Sequence, residues 1–520
     1  MLLGYFVLDL GGLKFCLFAV AVLATYFILN AFYQLYFSPL AKVPGPWYTS
    51  ISRLWLLSKA LKGGVVFDIY QLHQKYGPFV RVAPNEISVA DIQSVNRIHD
   101  LNDIFPKAKI YETMGAGLDS ITVKTDHEAY KRRRRAIGNV FSNSNLNILE
   151  PVVRKHVVTC VQKVKREITL GRTPDLLKWV HFMSADIIGE LSFGKDFGML
   201  EDEIVNPLVE DMGAFLILFG LRSWLPIIGS GALKSVLSYI PSFKLYKILG
   251  SADRIAEYGK ESLANVRRDI CNCKNGLIRP SIFSKVLENA SNPDAKLPLT
   301  ADQMRDEAFA FMLAGSDTVV VTAVYTIWAI LRHEDARRKL EADLKLSKLG
   351  PEDTCHGDLN GFTNQNLQNI PYLDFTIKEG LRLFAAVQMS LPRTVPAGNG
   401  GRQLGLYFFP SGTEVSTPVY AIHRDPVLFP DPHSFKPERW INATDDMNSA
   451  SLGFGGASRM CIGSNLAMME MRLLIAILFS SCPDIGLASS CTDESMEMEE
   501  FLFIKPRGQK CEVVKNSSVG

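Results

Sequence analysis

The chain has 520 residues, 47% hydrophobic and 21% charged, and a net charge of only +2. This composition suits a globular protein with a large core and gives no footing to a nucleic-acid binder, which needs a basic excess. Nine cysteines at positions 16, 160, 271, 273, 355, 461, 482, 491 and 511 are odd in number and irregular in spacing. They argue against a disulfide framework and fit a reducing compartment.

Phe15–Phe37 carries no charged residue. About 20 such residues cross the hydrocarbon core of a bilayer. Tyr26, Tyr33 and Tyr36 stand where an aromatic belt would sit. The stretch is too long for the apolar region of a cleaved signal peptide, and no small-residue cleavage site follows it. Residues 1–38 are therefore expected to be a retained, single-pass membrane anchor. Asp9 and Lys14 precede the span, and Lys42, Arg53, Lys59 and Lys62 follow it. That excess places the bulk of the chain in the cytosol. The sequons at Asn289, Asn442 and Asn516 then stay unglycosylated. Val43-Pro44-Gly45-Pro46 cannot continue a helix, so residues 39–46 read as a stiff hinge. No linker or repeat divides residues 47–520, which read as one domain.

Val65–Tyr76 has helical spacing, and Phe79–Val82 and Glu86–Val89 read as strands around the turn Ala83-Pro84-Asn85. Lys131–Arg135 is an unbroken basic run. It reads as a solvated helix face or as a localisation signal, and the anchor argues against the second. A helical segment beginning near Leu176 closes on Phe193-Gly194-Lys195-Asp196-Phe197-Gly198. Met212 to Ile248 is strongly apolar but broken by glycine and proline, which excludes one long buried helix. Cys271 and Cys273, the one close cysteine pair, read as surface or helix-end thiols.

Thr300-Ala301-Asp302-Gln303 is a capping box that opens a helix running to about Arg332. Its middle is apolar all round, so it is expected to be buried. Inside it lies Ala314-Gly315-Ser316-Asp317-Thr318. An interior glycine costs about 1 kcal/mol relative to alanine. Taken singly, Gly315 reads as a packing residue and Thr318 as a hydroxyl bonded back to its own helix.

Glu379 and Arg382, three apart in the helical pattern Tyr372–Phe384, share one face. Ala385–Leu391 is apolar and leads to Pro392-Arg393. Leu404–Phe409 and Thr413–Thr417 read as strands on either side of Pro410-Ser411-Gly412. His423 invites a metal-ligand reading, but with Asp425-Pro426 behind it a structural or cofactor-side role is the stronger one. Phe435-Lys436-Pro437-Glu438-Arg439 follows.

Leu452–Ala467 is the most informative stretch. Cys461 stands between glycine-rich backbone and the helical pattern Asn465–Phe479. Gly455, Gly456 and Gly463 permit unusual backbone angles and close approach of a ligand. Arg459 places positive charge nearby, and the following helix turns its amides and positive dipole end towards the sulfur. All three favour the thiolate, the metal-binding form. An isolated cysteine is most often a core residue. Here the glycines, Arg459 and Phe454 point instead to a flat aromatic cofactor on the loop, and a haem with an axial thiolate suits them.

Phe454, Arg459, Cys461 and Gly463 resemble the haem-binding signature of the cytochrome P-450 family at matching spacing. Ala314–Thr318, Glu379 with Arg382, and Phe435 with Pro437-Glu438-Arg439 resemble three further motifs in the family's order, so the resemblance covers about residues 40–510. One position in the loop departs: Ala457 stands where the family usually has glycine. The resemblance implies a mainly α fold with a small β lobe behind an N-terminal transmembrane helix. The implied cofactor is haem b, its iron held by Cys461. Arg134 and Arg393 would meet haem propionates, with Tyr130 in place of the family's usual tryptophan. The other arginines of the basic run would dock a reductase. Asp317 and Thr318 would deliver protons for O–O cleavage, with Gly315 leaving room for dioxygen. Glu379, Arg382 and Arg439 would form a buried network behind the cysteine loop. Ala386, Val387 and Met389 would line the pocket, and Phe501-Leu502-Phe503 would form a hairpin strand with its tip in it. The apolar region after Met212 would roof that pocket.

The implied function is a fungal, microsomal haem-thiolate monooxygenase. It would insert one oxygen atom of dioxygen into an apolar small molecule, a secondary metabolite of polyketide, terpenoid or indole alkaloid type. Electrons would come from NADPH through a separate cytochrome P-450 reductase at the endoplasmic reticulum membrane. Desaturation or ring formation by the same oxidant stays open. A peroxide isomerase or dehydratase is disfavoured by the acid–alcohol pair Asp317-Thr318. A haem sensor or carrier would be excluded by redox cycling with reductase and oxygen.

Overall fold

In the computed structural model, residues 2–115, 117–224, 242–272, 281–282, 284–285, 299–347, 349 and 361–516 are described. Leu225, Ile227, Ile228, Tyr239 and Ile240 of the expected roof lie outside them, as do Cys273, Cys355 and Asn289. The chain opens with helix α1, Leu2–Tyr36. Phe18, Phe27 and Leu29 on it are 63–68% exposed. Among the described residues three helices are long and apolar enough to cross a membrane, and only this one is unburied. It is a candidate membrane anchor. Its last turns are tied to the body by Arg81, which donates to the Gln34 carbonyl at 2.8 Å, to the Gln34 side chain at 2.7 Å and to the Pro84 carbonyl at 2.6 Å.

Helix α2 (Val65–Tyr76) leads into strands β1 (Phe79–Ala83) and β2 (Glu86–Val89). Helices α3 (Ile110–Gly115), α4 (His127–Gly138), α5 (Asn143–Thr169), α6 (Leu176–Phe193), α7 (Pro207–Trp224) and α8 (Phe243–Asn272) follow. Asp126 and Asp175 cap α4 and α6 by accepting from the Ala129 and Leu177 amides. Gly194, at φ +78°, ends α6 in the left-handed conformation.

Helix α9, Ala301–Arg332, is the axis of the body. Thr300 and Gln303 make both hydrogen bonds of the capping box. Its flank packs on α6 and, further along, on α10 (Pro371–Phe384). The main apolar core surrounds it.

Strands β3 (Ser390–Thr394), β4 (Gly401–Leu404), β5 (Tyr407–Pro410) and β6 (Glu414–Pro418) come next. The small lobe is a four-stranded sheet in the order β1-β2-β6-β3, with β2 and β6 parallel and the other pairs antiparallel. The single strand expected over Leu404–Phe409 is instead a hairpin, β4 against β5. Gly405, at φ +52°, turns the chain there, a conformation that glycine adopts at no steric cost. Helix α11 (Ser464–Ser481) and strands β7 (Ile485–Leu487), β8 (Met498–Glu500), β9 (Ile504–Pro506) and β10 (Val513–Lys515) complete the chain. Phe501-Leu502-Phe503 is not a strand but the turn between β8 and β9. Leu502 approaches Gly220 of α7, and the Ala386 carbonyl accepts from Ile504 at 3.0 Å.

Candidate active site

The loop before α11 is shaped by its backbone. Gly455 has φ +81°, and a side chain on Gly456 would come within 2.2 Å of the His99 ring. The Cys461 amide donates to the Phe454 carbonyl at 2.8 Å, and the Gly463 amide donates to the Cys461 sulfur. The open surface of Cys461 faces a cavity of about 540 Å³, also lined by Tyr130, Arg134, Phe141, Met460 and Ile462. Burial pushes the thiol above its ordinary pKa, and the Gly463 amide and Arg134 pull it back. This corrects the expectation for Arg459. Its guanidinium lies 3.7 Å from the centre of the Tyr130 ring and contributes nothing resolved to the sulfur.

Four cations gather beside this loop. Arg134 donates to the Tyr130 hydroxyl at 3.0 Å and to the Met460 carbonyl at 2.6 Å. Arg393, 2% exposed, donates to the Tyr111 hydroxyl at 3.3 Å. Arg459 meets His127 at 3.4 Å. Lys107, bridged to Arg393 through the backbone, has its pKa driven well down by burial, then by repulsion from Arg393 and Arg459. Among the described residues none of the four forms an ion pair with a carboxylate. The Nε of Arg393, Nε and Nη1 of Arg459 and Nδ1 of His99 are buried without a hydrogen-bond partner. The basic run does not all face outward, as expected. Arg133 is buried and donates to Glu307 at 2.7 Å, while Lys131, Arg132 and Arg135 are exposed.

Behind the loop the reverse holds. Glu379 Oε1 accepts from Arg382 Nη2 at 2.7 Å, Arg439 Nε at 3.0 Å and the Lys436 amide at 3.0 Å. Its Oε2 accepts from Arg382 Nε at 2.9 Å and Trp440 Nε1 at 3.0 Å. The structure thus brings Glu379, Arg382 and Arg439 together. Arg382 also donates to the His423 carbonyl at 2.6 Å, and His423 Nε2 accepts from the Leu452 amide at 3.0 Å. His423 is therefore a strut at the start of the cysteine loop.

On α9, Ala314 is exposed and Asp317 and Thr318 are half-buried, although most of this helix is buried. Thr318 Oγ1 donates to the Ala314 carbonyl at 2.7 Å. A side chain on Gly315 would lie 2.8 Å from Ile188 of α6, so the glycine lets the two helices pack closely. Asp317 faces His181 at 3.3 Å. Burial raises the Asp317 pKa and His181 opposes that rise.

Residues 43–509 match the family model for cytochrome P450. The chain belongs to the cytochrome P450 family. It is 33% identical to cytochrome P450 monooxygenase tazI of Aspergillus terreus, over 95% of this chain and 97% of that one. It is 31% identical to cytochrome P450 monooxygenase orf2 of Aspergillus niger, over 92% and 93%. It is also 31% identical to cytochrome P450 monooxygenase stcB of Emericella nidulans, over 92% and 89%. Among solved structures the cytochrome P450DA heme domain superposes with a TM-score of 0.72 at 17% identity, over 91% of this chain and 98% of that one, a likeness of fold. This P450 is an oxygen-incorporating oxidoreductase whose cofactor is a cysteine-ligated haem iron. Monooxygenases of this family work on a small molecule with a redox partner.

The residues present fit the haem. A buried guanidinium without partners is costly unless an anion meets it. The orphaned nitrogens of Arg393 and Arg459 are donors suited to carboxylates. Lys107, Tyr111, His99 and His181 escaped the sequence reading, because each reaches its partners only through the fold.

Proposed function

We propose that this P450 hydroxylates an apolar fungal secondary metabolite, with Cys461 as the residue that would hold the haem iron and with electrons from an NADPH-dependent reductase. One observation carries the reading: where the mostly buried helix α9 opens at Ala314 and Gly315, it presents an acid and an alcohol, Asp317 and Thr318, both half-buried. A bound haem supplies dioxygen activation. The chain's own residues supply the rest. Arg393, Arg459, Arg134 and Lys107 would hold its propionates, and the Gly463 amide donates to the sulfur that would hold the iron. Thr318 commits its proton to the Ala314 carbonyl, so its oxygen is an acceptor that orients a water or a substrate hydroxyl. Asp317, whose pKa burial raises, stands one residue away as the acid that would pass a proton on.

In this reading residues 1–38 anchor the protein in the endoplasmic reticulum membrane, residues 39–46 form the hinge, and residues 47–520 form the cytosolic catalytic domain. Apolar substrate enters from the bilayer beneath α7. The test is incubation of microsomes with candidate metabolites, NADPH, reductase and isotopically labelled dioxygen. A product carrying one labelled oxygen supports the proposal; a product that loses two hydrogens and gains no label overturns it in favour of desaturation. Asn442 is exposed and reports topology. A glycan on it would overturn the cytosolic placement.

A further inference from the structure

Helices α6 and α9 meet through two polar contacts at the acid–alcohol motif. Ser184 donates to the Gly315 carbonyl at 2.8 Å. Behind Ser184 stands Glu470 of α11, 2% exposed, with its carboxyl pushed up to about 8 by burial. Ser184 itself is fully buried. The other contact is open. His181 Nε2 stands 3.3 Å from Asp317 Oδ1, and the two side chains are 28% and 29% exposed. Leu177 is half-buried and Lys178 exposed, so this edge of α6 runs out to solvent one turn before His181. Among the described residues Asp317 has no lysine or arginine partner.

We infer that His181 is a positioning residue that feeds protons from solvent to Asp317, an inference resting on the acid–alcohol reading of Asp317 and Thr318. A hydronium ion from solvent protonates Nδ1 of the imidazole and is left as water. The imidazolium then passes its Nε2 proton to the Asp317 carboxylate, leaving a neutral ring that returns to the starting tautomer when solvent removes the Nδ1 proton and supplies one at Nε2. The carboxylic acid gives its proton inward and returns to the carboxylate. Charge and protons balance over the cycle, and no electron moves.

The test uses the full chain in microsomes with reductase and NADPH, without added substrate. Dioxygen consumption is followed in H2O and D2O. His181→Gln keeps a hydrogen-bond donor for Asp317 but cannot relay a proton. It should slow consumption about tenfold and enlarge the solvent isotope effect. Asp317→Asn should slow it about a hundredfold, within the reach of positioned proton transfer. In the resting protein, the infrared carboxyl band that Asp317→Asn removes should titrate at higher pH in His181→Gln, because the imidazolium no longer steadies the carboxylate. An unchanged rate, isotope effect or titration in His181→Gln overturns the inference while a slow Asp317→Asn leaves the acid–alcohol reading standing. Wild-type rates in both Asp317→Asn and Thr318→Ala would sink that reading itself. Should the Gln variant lose the thiolate-type Soret band of the reduced carbon monoxide complex, His181→Asn replaces it. Loss in both assigns His181 to structure alone and overturns the inference.

Discussion

Two clusters of buried arginine flank the loop that carries Cys461, and they are built to opposite rules. Behind the loop, Glu379 uses both oxygens to satisfy Arg382, Arg439, Trp440 and a backbone amide. In front of it, Arg393 and Arg459 keep buried nitrogens with no partner. A closed set of charges holds a loop in place. An open set of like charges destabilises the protein by itself and is retained for an anion that completes it. The contrast sets the arginines behind the loop apart from those in front of it without reference to any relative.

The largest effect falls on the group between the clusters. Cys461→Ser should abolish the thiolate-type Soret band and all turnover, with the fold kept, as checked by circular dichroism. Next is the closed cluster. Glu379→Gln strands two buried guanidiniums, and breaking one partner of such a set costs about 3–5 kcal/mol. The variant should yield little folded protein and retain no haem. A Glu379→Gln protein as stable as wild type would erase the distinction between the clusters.

The open cluster should behave otherwise. Arg459→Leu removes hydrogen bonds to a charged group, each worth about 1.5–3 kcal/mol. Haem transfer to an apo-acceptor should accelerate, reflecting about 10–100-fold weaker retention. The haem-free protein should be no less stable to urea than wild type, because the lost cation had no carboxylate to strand. Loss of urea stability in the haem-free variant would make Arg459 a structural residue like Arg382.

Each cluster also contains one buried histidine held near a pKa of about 3, His423 in the closed one and His99 in the open one. Burial is the main cause in both, and neighbouring arginines add to it. Because the folded value lies below the ordinary 6.5, the unfolded chain binds the proton first. Their contribution is therefore complete above about pH 6.5 and lost as pH falls towards 3, at about 1.4 kcal/mol per pH unit for each group. Glu307, Glu470 and Glu500, raised to about 7, 8 and 7, act in the opposite sense as pH rises from 4.5. The clean measurement is thus a difference. His423→Asn should lower stability at pH 7 and flatten its acid slope by one proton, read from urea unfolding across pH 4–6.5.

The two clusters were unequally legible in the sequence. Glu379, Arg382 and Arg439 sit in motifs, and the i to i+3 spacing already puts the first two on one face. The closure by Trp440 and the Lys436 amide depends on how residues 436–440 lie against α10, which spacing does not encode. Of the open cluster, Arg134, Arg393 and Arg459 could be read, but Lys107 reaches it through pairing with β3. The long helices were legible because capping and apolar periodicity are local. The hairpin at Gly405 and the turn at Phe501–Phe503 were misread because short apolar runs do not mark where a strand reverses.

The smallest effect concerns Ala457, where the resemblance to the family's loop leads one to expect glycine. A glycine is needed where φ is positive or where a side chain would collide, as at Gly455 and Gly456. Ala457 meets neither condition. It opens the 3-10 turn Ala457–Arg459, its φ is not positive, and its surface is exposed. The residue therefore fits without strain, and its Cβ narrows the choices open to the unfolded chain. Ala457→Gly should lower stability by about 0.4–1 kcal/mol, chiefly through the unfolded state. The Soret band of the carbon monoxide complex should stay in place, because neither the Cys461 amide bond to Phe454 nor the Gly463 amide on the sulfur involves that side chain. A stabilising Ala457→Gly would show that alanine strains the loop, and the open cluster beside it would then owe part of its geometry to that strain.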